Sequence, residues 1–126
     1  MFSAILVTGG TSDGYTRLSS VEVWRPECQG RLPAMREARS DHAQAGLRVC
    51  SGLATAGQPV TSCERLEAGG WTEAGAVGER SASSMWEADT GEVFITGGAG
   101  IEQNHNTTLQ IDGDIKPGFA LRSPIL

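Results

Sequence analysis

The sequence predicts an all-β protein assembled from small antiparallel sheets that repeat along the chain. Three observations predict it. A run of apolar residues ending in a glycine turn occurs three times, as Ile5-Leu6-Val7-Thr8-Gly9-Gly10, Leu47-Arg48-Val49-Cys50-Ser51-Gly52 and Val93-Phe94-Ile95-Thr96-Gly97-Gly98. The second glycines of these runs are 42 and then 46 residues apart, a period that marks a repeat architecture. No segment carries a sustained 3.6-residue periodicity, and the apolar stretches between turn signals have the length of strands.

The elements follow one another in a fixed order. Each glycine turn leads into a polar loop and then a second strand. Val21, Cys63 and Leu109 each lie eleven residues beyond the second glycine and are followed by Glu22, Glu64 and Gln110. Segments 20–24, 62–66 and 108–111 are therefore read as equivalent strands, with the alternation of a half-buried sheet. Arg65 interrupts that alternation where the other copies have Val23 and Ile111. A third element is read at 31–35 and again at 70–74, where Trp71 stands near its start. A fourth opens with Arg-Ser, at Arg39-Ser40 and Arg80-Ser81, the two arginines 41 residues apart. After Ile111 the third copy offers no recognisable fourth strand.

Four short strands per repeat of this length form the blade unit of a β-propeller. The order of elements resembles kelch repeats. Gly9-Gly10, Gly97-Gly98, Val21-Glu22-Val23-Trp24, Trp71, Arg39 and Arg80 carry the resemblance, which covers about residues 3–111. The middle copy departs from it with Ser51-Gly52, and the first copy has no tryptophan near Arg31. This phasing gives one complete four-stranded blade over about 39–76 and two partial blades, with boundaries near 38 and 79 and an irregular tail or incomplete strand at 112–126. A propeller ring takes roughly 4–8 blades. The resemblance therefore implies a fragment of a kelch-type β-propeller or a truncated gene product, expected to fold poorly alone or to self-associate.

Charge and composition narrow the functional classes. Hydrophobic residues make up 39% and charged residues 20% of the 126 residues, which fits a globular chain with a modest core and not a disordered one. The formal charge is −5 and the ten basic residues are scattered, so no basic face is expected to neutralise phosphates and nucleic-acid binding is not expected. No stretch approaches the roughly 18 apolar residues of a membrane span, and none is expected to enter a membrane. The first ten residues lack the basic n-region of a signal peptide.

Motifs that hold catalytic residue types have simpler readings. The glycine pairs lead into strands and not helices, so they are read as turns and not phosphate cradles. Ser40-Asp41-His42 holds triad residue types, but neighbours on a strand face opposite ways and cannot line up. His42 and His105 have no flanking Cys or carboxylate cluster, so neither a metal nor a cofactor is expected. A kelch-type enzyme such as a galactose-oxidase-like copper oxidase is the alternative that the resemblance implies. Its chemistry would need several tyrosine and histidine ligands, and Tyr15 is the only tyrosine. Trp24, Trp71 and Trp86 are expected to pack between blades.

Cys50 and Cys63 fall opposite one another if Leu47 pairs with Leu66. That register admits a disulfide, and two buried thiols are the other reading. Asn106-Thr107-Thr108 is an N-glycosylation sequon. The two features favour an extracellular over a cytoplasmic origin if a signal peptide precedes the chain. Function is expected in the loops after the glycine turns, since propeller loops carry recognition. The expectation is a non-catalytic module that recognises a protein partner through Asp13, Tyr15, Arg17, Gln58, Gln103, Asn104 and His105.

Overall fold

The computed structural model describes residues 4–26, 28–90, 92–100, 105, 107–112 and 114–116. Three antiparallel sheets follow in chain order. Sheet I contains β1 (Ile5–Thr8), β2 (Val21–Arg25) and β3 (Cys28–Leu32). Sheet II contains β4 (Ala43–Ala45), β5 (Arg48–Cys50), β6 (Ser62–Glu67) and β7 (Gly70–Ala76). Sheet III contains β8 (Ser84–Glu87), β9 (Val93–Thr96), β10 (Thr108–Asp112) and β11 (Asp114–Lys116). Within each sheet every strand pairs with its neighbour in sequence, so each sheet is a meander. The only helical turn among the described residues is Thr55–Gly57, and no helix there is long and apolar enough to cross a membrane.

Three expectations change. The third strand of sheet I is Cys28–Leu32 and not 31–35: the chain reverses directly after Arg25, and Arg25 pairs with Cys28. Gln29, opposite Trp24, therefore takes the register position that Trp71, opposite Leu66, holds in sheet II. Sheet III gains a fourth strand, because backbone pairing of Ile111 with Ile115 needs no apolar signature. Two sheets are thus four-stranded, not one. Finally, Thr96 pairs with Thr108, as Thr8 pairs with Val21 and Cys50 with Cys63. Thr108, not Leu109, is the equivalent of Val21 and Cys63, and the third loop is one residue shorter.

The sheets stack face on face, and the alternation of each strand gives each sheet two faces to bury. Between sheets I and II lie Val21, Met35, Val49 and Trp71, with Leu6, Leu32 and Leu66 against them. Between sheets II and III lie Ala43, Cys50, Cys63, Ala74, Val93, Ile95 and Ile111. Trp71 is buried and its indole N–H donates to the Pro33 carbonyl at 2.7 Å. Trp24 and Trp86, expected between sheets, are 43% and 40% exposed. They lie on the outer faces of sheets I and III, where no further described sheet covers them.

A repeated backbone clasp joins successive sheets. The Gly10 amide donates to the Arg39 carbonyl at 2.7 Å, and the Gly52 amide donates to the Arg80 carbonyl at 2.9 Å. Each glycine turn therefore grips the arginine that opens the next sheet.

Candidate functional site

The loops after β1, β5 and β9 leave equivalent strand ends and form one rim. Each is closed by the same hydrogen bond to the carbonyl of its second glycine. Leu18 donates to Gly10, Val60 to Gly52 and His105 to Gly98. The donor lies eight, eight and seven residues on, which locates the missing residue of the third copy inside the loop. Short bridges then stitch the rim sideways: Leu18 to Arg39, Ser40 to Leu53, and Ser81 to Ala99.

The first loop is held by its own polar residues. One Asp13 carboxylate oxygen accepts the amides of Tyr15 at 2.9 Å and Thr16 at 2.7 Å. These bonds, Thr16 first, hold the Asp13 carboxyl below its usual range. Arg17 donates Nε–H to the Ser40 hydroxyl at 2.9 Å and a terminal N–H to the Tyr15 carbonyl at 2.8 Å. Tyr15 is left at the tip with 78% of its surface exposed. In the second loop the Gln58 carbonyl accepts the Ala54 amide, while the side chain points into solvent. In the third, a His105 ring nitrogen meets the Glu79 carbonyl at 2.7 Å.

Of the residues expected to bind a partner, Tyr15 and Gln58 are thus presented outward. Asp13 and Arg17 shape the loop, and His105 ties it to the segment between β7 and β8. Gln103, Asn104 and the sequon residue Asn106 lie outside the described residues.

Beneath the rim sit the arginines. Arg39 is fully buried. Its guanidinium donates to the Ser51 and Ser62 carbonyls at 3.1 and 2.7 Å, the Ser62 hydroxyl at 3.0 Å and Glu64 Oε2 at 2.8 Å. Glu64 also accepts the Arg36 and Glu37 amides. Arg80 repeats the pattern on Gly97, Thr107 and the Thr107 hydroxyl. Register puts Leu109 where Glu64 stands, so the repeat offers Arg80 no acid at that position, and burial lowers its pKa.

His42 is the residue whose place the sequence did not reveal. It lies at the joint of sheets I and II, so close to both glycine turns that a Cβ on Gly9 would meet its ring at 3.0 Å and one on Gly52 its own Cβ at 2.8 Å. The Thr8 hydroxyl donates to Gln44 Oε1 at 2.7 Å, so it accepts from His42 Nε2–H, also at 2.7 Å. Nδ1 is buried with no hydrogen-bond partner. A second proton would land there, and burial and the nearby Arg39 charge lower the pKa against the opposing pull of Asp41. Ser40 and His42 have separate partners, Arg17 and Thr8, and do not form a triad.

Cys50 and Cys63 form a disulfide between β5 and β6, in the register that places Arg48 opposite Arg65. The equivalent pair in sheet III, Thr96 and Thr108, shares a hydroxyl–hydroxyl hydrogen bond of 2.8 Å.

No protein-family description matches the chain, and no curated protein sequence does. Solved structures do match. One, titled "Structure of YjhT", aligns over 90% of this chain with a TM-score of 0.73 and 10% sequence identity. YjhT is a β-propeller protein. The fold here is that of a stretch of β-propeller. Sheets I, II and III are its blades, and the match covers 42% of the YjhT chain, so these blades span less than half of that propeller's length.

Proposed function

We propose that this propeller stretch is a non-catalytic interaction module of the kelch type, which recognises a protein partner through the rim of loops after the glycine turns. The observation that carries this reading is Tyr15. An aromatic ring 78% exposed stands on a loop whose backbone is already ordered by Asp13 and Arg17. Pre-organised aromatic side chains lose little entropy on binding and dominate interface energetics. The kelch assignment is supported by the recurrence of Arg39 and Arg80 on equivalent acceptors and by the glycine turns that clasp them.

Site-specific photo-crosslinking tests the reading. A crosslinking residue at Tyr15 or Gln58 is expected to capture one protein partner. The same residue at Leu47, at the opposite end of β5, is expected to capture none. Equal capture from both ends of the blade would refute a rim-directed interaction.

A further inference from the structure

The loop rim carries the same crevice twice, and only the first is filled. After Gly10 the chain bridges Thr11 to Arg17, and after Gly52 it bridges Leu53 to Pro59. Arg17 precedes the amide that closes the first loop on Gly10, and Pro59 precedes the amide that closes the second on Gly52. Ser40 bridges to Leu53 across the joint of sheets I and II, and Ser81 bridges to Ala99 across the joint of sheets II and III. Arg17 and Pro59 are thus equivalent, as are Ser40 and Ser81. At the first joint Arg17 donates Nε–H to the Ser40 hydroxyl at 2.9 Å, and Ser40 is buried. At the second joint Pro59 has no arm to extend. An open crevice lies there, lined by Leu53, Pro59, Glu79, Ser81 and Ala99. Ser81 is only half-buried, and among the described residues its hydroxyl reaches the Ala99 carbonyl alone, at 3.5 Å.

The second joint differs in one more way. Glu79 precedes Arg80 where Ala38 precedes Arg39, so the second crevice gains a carboxylate that the first lacks. Among the described residues that carboxylate has no hydrogen bond and no ion pair. Arg80 lies beneath, its N–H groups committed to the Val77, Gly97 and Thr107 carbonyls, as Arg39 lies beneath Arg17. The crevice therefore combines apolar walls for an aliphatic stem with a hydroxyl and a carboxylate for a cationic head. We propose that it binds the side chain of an arginine presented by the rim's partner. The incoming guanidinium donates to the Ser81 hydroxyl, as Arg17 donates to Ser40, and pairs with Glu79. The formal charge of −5 also favours a cationic ligand. That the arginine belongs to a protein rests on the rim reading, whereas the preference of the crevice for a guanidinium does not.

The amide chemical shifts of Ser81 and Ala99 in the full chain, followed as N-acetyl-arginine amide is added, test this. Saturable shifts at both amides are expected, with a Kd in the millimolar range that suits so small a ligand. N-acetyl-citrulline amide has the same shape without the charge, and wild type is expected to bind it about tenfold more weakly. Glu79→Gln is expected to lose that preference. Pro59→Arg rebuilds the occupant of the first joint and is expected to abolish binding. No saturation in the millimolar range, equal binding of the two analogues by wild type, or undiminished binding by Pro59→Arg would overturn the proposal. The comparison of analogues on wild type decides it even if a variant fails to fold. The fate of the rim reading is separable. Arginine binding with no crosslink at Tyr15 or Gln58 keeps the pocket and refutes a protein as its source, whereas crosslinks without arginine binding refute the pocket alone.

Discussion

Arg39 and Glu64, 25 residues apart in sequence, meet at 2.8 Å with their side chains 0% and 2% exposed. The pair locks the segment that enters sheet II to the second loop-facing strand of that sheet. A buried pair contributes little net stability while intact, but removing one partner leaves the other charge stranded. Arg39→Leu is expected to cost about 3–5 kcal/mol, because Glu64 then keeps only the Arg36 and Glu37 amides. Glu64→Leu is expected to cost less, about 1–3 kcal/mol. It reproduces the surroundings that Arg80 already occupies beside Leu109, where carbonyls and a hydroxyl satisfy the guanidinium. Urea unfolding midpoints of the two variants give the order directly.

Ser51 carries the φ of a glycine. Its φ is 55°, against 61° at Gly9 and 69° at Gly97 in the other two turns, and its hydroxyl is buried without a partner. A non-glycine residue in this region costs roughly 1–2 kcal/mol. Ser51→Gly is therefore expected to stabilise the chain by about 1 kcal/mol. The converse applies at the next position. Gly52→Ala would put a Cβ 2.5 Å from the Ser40 carbonyl, whereas Gly10→Ala meets nothing within 4 Å at a similar φ. Gly52→Ala is expected to lower the thermal midpoint well beyond Gly10→Ala, and equal shifts would show that backbone conformation alone sets the cost.

The fold was largely legible in the sequence because its signals are local. A glycine turn ends a strand within a few residues, and the Cys50–Cys63 register follows from one hairpin. What was not legible is non-local. Thr8 meets His42 across 34 residues and Arg39 meets Glu64 across 25, and no periodicity encodes either meeting. Leu109 reads as the equivalent of Val21 by its spacing of eleven residues from the second glycine, yet a loop one residue shorter puts Thr108 there. The loop residues divided for a similar reason. Asp13 and Arg17 have the chemistry to bind a partner, but the same chemistry lets them bind their own backbone.

The disulfide gives a prediction for the unfolded chain. Cross-linking residues 13 apart removes loop-closure entropy from the denatured ensemble, about 3 kcal/mol for a loop of this size. Cys50→Ala with Cys63→Ala removes the bond and leaves two small apolar side chains in the core between sheets II and III. The double variant is expected to lose about 2–4 kcal/mol, most of it by easier unfolding of β5 from β6. Alkylation in denaturant without reductant, read by mass, is expected to add one label, at Cys28, and three labels would show that Cys50 and Cys63 are thiols.

His42 makes the stability pH-dependent. Its pKa in the fold lies below the usual 6.5, so the unfolded chain binds the proton more tightly than the folded one. Stability from this group is complete above pH 6.5 and is lost as pH falls towards the folded value. The cause is geometric: Nε2–H is committed to Thr8, which is itself committed to Gln44, and the incoming proton must sit on buried Nδ1 with no acceptor. Denaturation midpoints are expected to fall from pH 7.5 to pH 5. His42→Gln keeps a donor for Thr8 and removes the titration, so its profile over the same interval is expected to be flatter. If the two profiles run parallel, another group carries the pH dependence, and the joint between sheets I and II is not where acid loosens the stack.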